Sequence, residues 1–364
     1  MDFNTLEQHL QQNKEVDKYV FCKLIFPQVS RTFAVNVVRL PQPLQFEVLI
    51  AYLLCRIADT IEDNADLPAI RKKELLDDFS KLVTVANWQE SIYSKFEKDC
   101  RKEVLGNEVD ITLLHYSLYV LQCFWEFSET VRSNIRKWVN EMTKGMGEYS
   151  ARKLQKSSVT FLQSVEDLET YCYYVAGTVG HLLNGLFANH YSCISKKKYA
   201  FMEKKATSFG LGLQLTNIIK DSVVDYQRGW CYLPGDLLAE LSLTDGNLLK
   251  KSSRENAYKL MNTIIERAKS HLDNALLYSC ALPKRALKAR VFCFLPLMMA
   301  IKTLEQATAN EQLFDKDNPV KISRNEVIAI VKYTRLNVWS NFRMAQWYRR
   351  VEKSLMAKLA KSYS

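Results

Sequence analysis

An all-α fold, of the kind a single helical domain can build, is predicted by three features of this 364-residue chain. Hydrophobic residues make up 48% of it, enough to bury a sizeable core and too many for a disordered chain. Only 11 glycines and 8 prolines punctuate the sequence, which favours long helices with few turns. Strands would need alternating β-branched runs bounded by turn residues, and no such series occurs.

Apolar spacing places the first helices over 16–25, 31–38 and 43–63. Leu67-Pro68 separates these from a helix over 68–86, followed by one over 88–103. Gly106-Asn107 precedes helices over 109–122 and 127–148. A helix over 165–189 stops at the turn Ser192 to Ser195, and one over 197–226 stops at Gly229 to Pro234. Helices over 235–242 and 246–279 end at Leu282-Pro283. The last two, over 284–306 and 323–361, are divided by the turn Asp315 to Pro319. No linker rich in Gly, Ser or Pro cuts the chain, so one helical domain over residues 1–364 is expected. Its final part, 326–364, reads as a basic amphipathic helix.

The formal charge of +10 points to an anionic partner without choosing among diphosphate, nucleic acid and anionic membrane. No nucleic-acid reading motif occurs and the basic residues are spread rather than striped, so no nucleic-acid partner is expected. The nine cysteines are scattered, odd in number and without a C-x-x-C pair, as suits free thiols in a reducing compartment. The opening residues lack the basic and apolar regions of a signal peptide. The longest apolar run, Phe292 to Ile301, is interrupted by Pro296 and falls short of the ~20 residues that span a bilayer. A cytoplasmic chain, soluble or peripheral at a membrane, is expected.

Two acidic clusters carry the chemistry. The first is Asp59-Thr60-Ile61-Glu62-Asp63 and the second runs from Asp221 to Asp225. A helix sets residues i, i+3 and i+4 on one side, so Asp59, Glu62 and Asp63 share a face, as do Asp221 and Asp225. Like charges one turn apart destabilise a helix unless a cation lies between them. Mg²⁺, a hard ion that prefers oxygen, fits such clusters when a substrate phosphate completes its shell. A solvated acidic face is the plainer reading of either cluster alone; two clusters on otherwise apolar segments favour metal. Arg56 stands one turn before Asp59, suited either to a diphosphate oxygen or to a simple i,i+3 ion pair. Gln214, Asn217 and Asp221 form a polar stripe on an apolar helix, which should face water or a ligand.

The segment Tyr171 to Gly180 holds two glycines three apart, and Gly210 and Gly212 precede the second cluster. Each costs a helix ~1 kcal/mol relative to alanine, so either close helix packing or room for a bulky ligand is required. Tyr52, Tyr171, Tyr174 and Phe292 are aromatic groups able to stabilise a carbocation, or to fill a core.

Four of these segments together resemble the squalene/phytoene synthase family: Ser30 to Ala34, Asp59 to Asp63, Tyr171 to Gly180 and Gln214 to Asp221. The resemblance runs in order from roughly residue 18 to 325. It implies a class I isoprenoid-synthase helical fold with a central cavity between two Mg²⁺-binding helices. It also implies head-to-head (1-1′) condensation of two prenyl diphosphates through a cyclopropyl intermediate. On that resemblance Asp59, Glu62, Asp63, Asp221 and Asp225 would bind Mg²⁺. Ser30, Arg31, Phe33, Arg56, Gln214, Asn217 and Phe292 would contact substrate. Tyr171 would be the phenol nearest the ionising carbon, with Tyr52 a second. Arg31, Arg56, Lys220 and Lys321 would serve NADPH.

Phe292 to Ile301 and Val320-Lys321-Ile322 look like squalene synthase segments, so the expected reaction joins two farnesyl diphosphates through presqualene diphosphate and reduces the product with NADPH. The alternatives stop before reduction, at phytoene, dehydrosqualene or presqualene diphosphate; a non-catalytic scaffold is more remote. Four positions depart from the family pattern: Val224 where Glu is frequent, Lys220 for Arg, Trp230 for a frequent arginine whose substitute would be Arg228, and Ser323 for a second basic residue beside Arg324. The basic tail from Arg343 to Lys361, with Met344, Trp347, Leu355, Met356 and Leu359 interleaved, suits either an anionic membrane or packing on the domain. Lys196-Lys197-Lys198 reads as a solvated loop.

Overall fold

The computed structural model describes all residues except 13, 65, 86–89, 154–161, 228, 245, 316–318 and 363–364, with the side chains of 31, 32, 153 and 362 also outside the description. Among the described residues there is no β-strand; Cys231 alone forms an isolated bridge. Two compact units are present, one of residues 1–154 with 185–190 and one of residues 155–184 with 191–364.

The first unit contains α1 (Phe3–Gln11), α2 (Lys18–Val29), α3 (Arg31–Val37), α4 (Leu44–Glu62), α5 (Ala69–Thr84), α6 (Glu90–Glu103), α7 (Glu108–His115), α8 (Ser117–Trp125) and α9 (Glu129–Lys153). Helix α4 is its centre, packed against α2, α3, α5, α7, α8 and α9. That placement follows from its sequence, which is apolar nearly all round, as only a buried helix can be. Helix α1 was not expected; Asp2 caps it by accepting from the Thr5 amide at 2.8 Å, and Leu6 and Leu10 bury its inner side. The helix expected over 109–122 is broken at Tyr116. The Tyr93 hydroxyl accepts the Leu118 amide at 3.1 Å, giving a freed backbone donor a partner that no local pattern announces.

The second unit holds α10 (Val165–Cys172), most of α11 (Thr178–His190), α12 (Lys196–Gln227), α13 (Gly235–Glu240), α14 (Arg254–Ala281), α15 (Leu287–Ala307), α16 (Arg324–Asn337) and α17 (Asn341–Ser362). Here α12 is central, packed on α10, α14 and α15. The helix expected over 165–189 opens into a π-helical turn at Tyr173–Gly177 before α11 resumes. The helix expected over 246–279 begins later, at Arg254, after a 3₁₀ turn at Lys251–Ser253.

The helix expected over 323–361 is likewise broken, between α16 and α17. Its cause is Arg290, a fully buried arginine on α15. Nε donates to the Val338 carbonyl at 2.8 Å, Nη1 to the Leu282 carbonyl at 2.6 Å, and Nη2 to Asn341 Oδ1 at 2.5 Å. A carbonyl turned towards a tertiary donor no longer serves its own helix, so the chain bends there. All nine cysteines are free thiols, seven of them buried and Cys193 and Cys280 half-buried. No described helix is long and apolar enough to cross a membrane.

Candidate functional site

Helix α4 is closed on nearly every side. Beyond its first turn only Tyr52, Arg56, Asp59 and Thr60 escape full burial, and Asp63, its C-cap, is exposed. Tyr52, Arg56, Asp59 and Asp63 follow i, i+4, i+7 and i+11, a single stripe along the helix. Burial, and next the charge of Asp63, push the Asp59 carboxyl up to about 7, against the pull of Arg56. Glu62 is buried; desolvation and then Asp63 hold its carboxyl well above the usual range. Beside it Lys72, also buried, donates from Nζ to the Glu62 backbone carbonyl at 2.5 Å, and desolvation lowers its pKa.

Arg56 forms an ion pair that is not the i,i+3 pair with Asp59. It forks onto Asp110 in the first turn of α7, Nε to Oδ1 at 3.0 Å and Nη2 to Oδ2 at 2.8 Å. Asp110 is therefore a member of this site that sequence reading missed. Nothing distinguishes it in the sequence from any acidic residue opening a helix. The Tyr52 hydroxyl donates to the Val29 carbonyl at 3.2 Å, and its ring stacks on Phe33 with centroids 5.1 Å apart. Burial raises the Tyr52 phenol, while buried Ser30 pulls it back through a hydrogen bond. Arg31 opens α3, and its side chain lies outside the described residues.

In the second unit the accessible side of α12 carries Gln214, Asn217, Asp221, Val224 and Asp225, while Leu211, Leu215, Ile218, Ile219 and Val223 are buried behind them. Lys220 Nζ stands 3.0 Å from Asp221 Oδ2. Tyr171 is buried and stacks on Tyr232 (5.2 Å, 28°), which stacks in turn on Trp230 (6.2 Å, 18°). Gly229, at φ +79°, permits the turn that delivers Trp230 and Tyr232 to this ladder. Trp230 thus fills a buried place where the family pattern has an arginine; Arg228 lies outside the described residues. Phe292 is buried on α15.

The glycines are explained by helix contact. A Cβ on Gly210 would lie 2.1 Å from the Ala176 carbonyl oxygen in the π turn, and one on Gly180 would lie 2.1 Å from the Ala206 carbonyl oxygen. Lys321 is exposed in the segment before α16. Ser323 caps α16: its hydroxyl accepts the Glu326 amide at 3.3 Å, while Glu326 accepts the Ser323 amide at 2.9 Å. In the tail, Met344, Leu355 and Leu359 are buried, α17 packs on α14 and α15, and Met356 remains exposed. Lys358 pairs with Glu305 at 2.7 Å, fastening the far end of α17.

Among the described residues no three Asp, Glu, His or Cys side chains converge closely enough to hold a metal by themselves. What each unit offers instead is a central helix with oxygen donors on its open side.

Residues 26–326 match the family model described as squalene/phytoene synthase, and the chain belongs to this family. Among its relatives, the squalene synthase of Schizosaccharomyces pombe is 30% identical over 313 residues, which are 86% of this chain and 64% of that protein. The squalene synthase of Nicotiana benthamiana is 28% identical over 318 residues, 86% of this chain and 70% of that one. The chain therefore spans roughly two thirds of these relatives' length. A solved chain, TcSQS in complex with the ligand E5700, superposes with a TM-score of 0.76 at 22% identity, covering 95% of this chain and 99% of that one, which shows the shared all-helical fold.

Proposed function

We propose that the chain joins two farnesyl diphosphates head to head (1-1′) to give presqualene diphosphate and, with NADPH, reduces this to squalene. The observation that carries the reading is the pair of open carboxylate stripes on the central helices, in a chain of this family.

The donor set suits Mg²⁺. The carboxylates are oxygen-only, and burial, then the charge of Asp63, makes Asp59 resist ionisation, so a divalent cation would offset both. Incomplete protein cages are what Mg²⁺ takes, because it keeps waters and binds through one or two carboxylates plus substrate phosphate. Asp59 and Asp63, with Glu62 behind them, would hold it on α4; Asp221 and Asp225 would hold it on α12. When bound, Mg²⁺ supplies charge neutralisation for the departing diphosphate.

The chain's own residues do the rest. Ser30, Arg31 and Arg56 in one unit, and Gln214 and Asn217 in the other, orient diphosphate oxygens. Arg56 enters that role already set in plane by Asp110. Tyr171, stacked on Tyr232 and through it on Trp230, would serve as the phenol for the ionising carbon, and Tyr52, in the first unit, as a second phenol. Phe33 in the first unit and Phe292 in the second would each offer an apolar ring that denies water to a carbocation. Lys321, an exposed ammonium, is suited to a phosphate of NADPH, with Lys220, Arg31 and Arg56 the remaining cations.

One observation favours a second reading. Ser323, at the place of a second basic residue, is engaged as a helix cap, which thins the cofactor site and favours a product left unreduced, such as presqualene diphosphate, dehydrosqualene or phytoene. Incubation of the purified chain with farnesyl diphosphate and Mg²⁺, with and without NADPH, and mass spectrometry of the products separate the two. Squalene formed only with NADPH is the expected result; a hydrocarbon product indifferent to NADPH refutes the reductive half. No condensation product at all refutes the whole reading.

A further inference from the structure

One end of the second unit exposes large apolar side chains that the packing leaves uncovered. Leu277 and Leu287 flank the turn between α14 and α15, and Leu336, Trp339 and Phe342 surround the corner between α16 and α17. Trp339 is 51% exposed and Phe342 74%. The two turns form one surface because Arg290 donates to Ser279 and Leu282 carbonyls on one side and to Val338 and Asn341 on the other. Asn341 Nδ2 adds a bond to the Cys280 carbonyl at 3.0 Å.

The charge on this surface has one sign. Lys284, Arg285 and Lys288 are exposed beside the first turn, and Lys332, Arg335 and Arg343 beside the second. No acidic residue occurs in the sequence between Asp273 and Glu305, or between Glu326 and Glu352. Exposed aromatic and leucine side chains ringed by cations match the boundary of an anionic bilayer, where apolar groups enter the acyl edge and cations meet headgroups. A second copy of the chain would bring like charges together, and a nucleic acid would leave the apolar corner unmatched.

We propose that this end of the second unit is a docking face for an anionic lipid bilayer, with Trp339 and Phe342 entering the interface and the surrounding lysines and arginines contacting headgroups. The contact is peripheral, since no described helix can cross the membrane. It differs from a tail helix lying on the surface, because α17 buries Met344, Leu355 and Leu359 within the protein. It stands independently of the catalytic reading.

Co-sedimentation of the full chain with phosphatidylcholine vesicles, with and without phosphatidylserine, tests it. Binding is expected only when phosphatidylserine is present. At roughly fivefold in partition per surface cation, Lys284→Ala, Arg285→Ala and Lys288→Ala together should weaken it by about a hundredfold. Phe342→Ser with Trp339→Ser should weaken it further at high salt, where headgroup attraction is screened. These side chains are exposed, so thermal midpoints should stay at the wild-type value; if the triple variant melts early, Phe342→Ser alone carries the test. Equal binding to both vesicles, no binding to either, or variants that bind like wild type would overturn the proposal. So would self-association in sedimentation velocity that Phe342→Ser abolishes, which would assign the face to a second copy.

Discussion

Replacing Gly210 with alanine sets two physical effects of opposite sign against each other. In an unconstrained helix the change stabilises by about 1 kcal/mol, because alanine loses less backbone entropy than glycine. In α12 the new Cβ would sit 2.1 Å from the Ala176 carbonyl oxygen and 2.7 Å from the Gly177 amide nitrogen. Both are backbone atoms, so no side-chain rotation relieves the clash, and the π turn must move away from α12 by about an ångström. Overpacking costs roughly 1–3 kcal/mol; rigid backbone on both sides puts this case at the upper end, leaving a net loss of about 2 kcal/mol. For a unit of this size that lowers the thermal midpoint by about 4–8 °C. Gly212→Ala is the internal control: the atom it meets first is the Leu272 side chain, at 2.7 Å, which is able to turn aside, so a smaller loss is expected. Thermal unfolding of purified wild type and both variants, followed by circular dichroism, decides the matter. A Gly210→Ala protein that melts at or above the wild-type temperature would show that helix propensity prevails and that the glycine does not serve helix contact.

Asp59→Asn and Asp221→Asn should each reduce turnover about a hundred- to a thousandfold, the loss of one electrostatic partner in the transition state, with the melting temperature unchanged or raised; wild-type product yield by mass spectrometry would refute the metal assignment. In chelator-treated protein the raised pKa of Asp59 makes the folded state bind more protons than the unfolded one between about pH 4 and 7. Stability should therefore fall as pH rises through that window, and Asp59→Asn should flatten the slope; an unchanged urea midpoint across the window in wild type contradicts this. Arg290→Met removes donors to three carbonyls and Asn341, and should cost about 3–5 kcal/mol; a loss below about 1 kcal/mol in urea unfolding would mean water replaces them. Arg56→Lys keeps the charge but not the fork onto Asp110, and should raise KM for farnesyl diphosphate with little change in kcat; an unchanged KM rejects the orienting role of Asp110.

Both acidic helices were legible in the sequence because helical spacing alone puts Asp59 with Asp63, and Gln214 with Asn217 and Asp221, on common stripes. That both clusters lie on otherwise apolar segments was legible too. What escaped were partners supplied from elsewhere in the chain. Asp110 comes to Arg56 from α7, the Tyr93 hydroxyl interrupts α7 and α8, and Arg290 interrupts α16 and α17. Each is a tertiary hydrogen bond that overrides local periodicity, and periodicity records only the local part. The π turn at Tyr173–Gly177 escaped for the same reason: its glycines marked a close contact without saying which backbone was near.

The narrow open stripe of α4 limits how this helix can change over time. Point replacements at Tyr52, Arg56, Asp59 or Asp63 alter chemistry yet leave the packing of the other faces intact. An insertion or deletion of one residue before Asp59 would rotate everything beyond it by about 100°. Carboxylates would then swing into the core and leucines into the open stripe. Variation among descendants of this chain should therefore take the form of swaps at these positions, with length held constant from Leu44 to Asp63. Length changes belong in the connections on either side, where a shift of phase has no helix to turn.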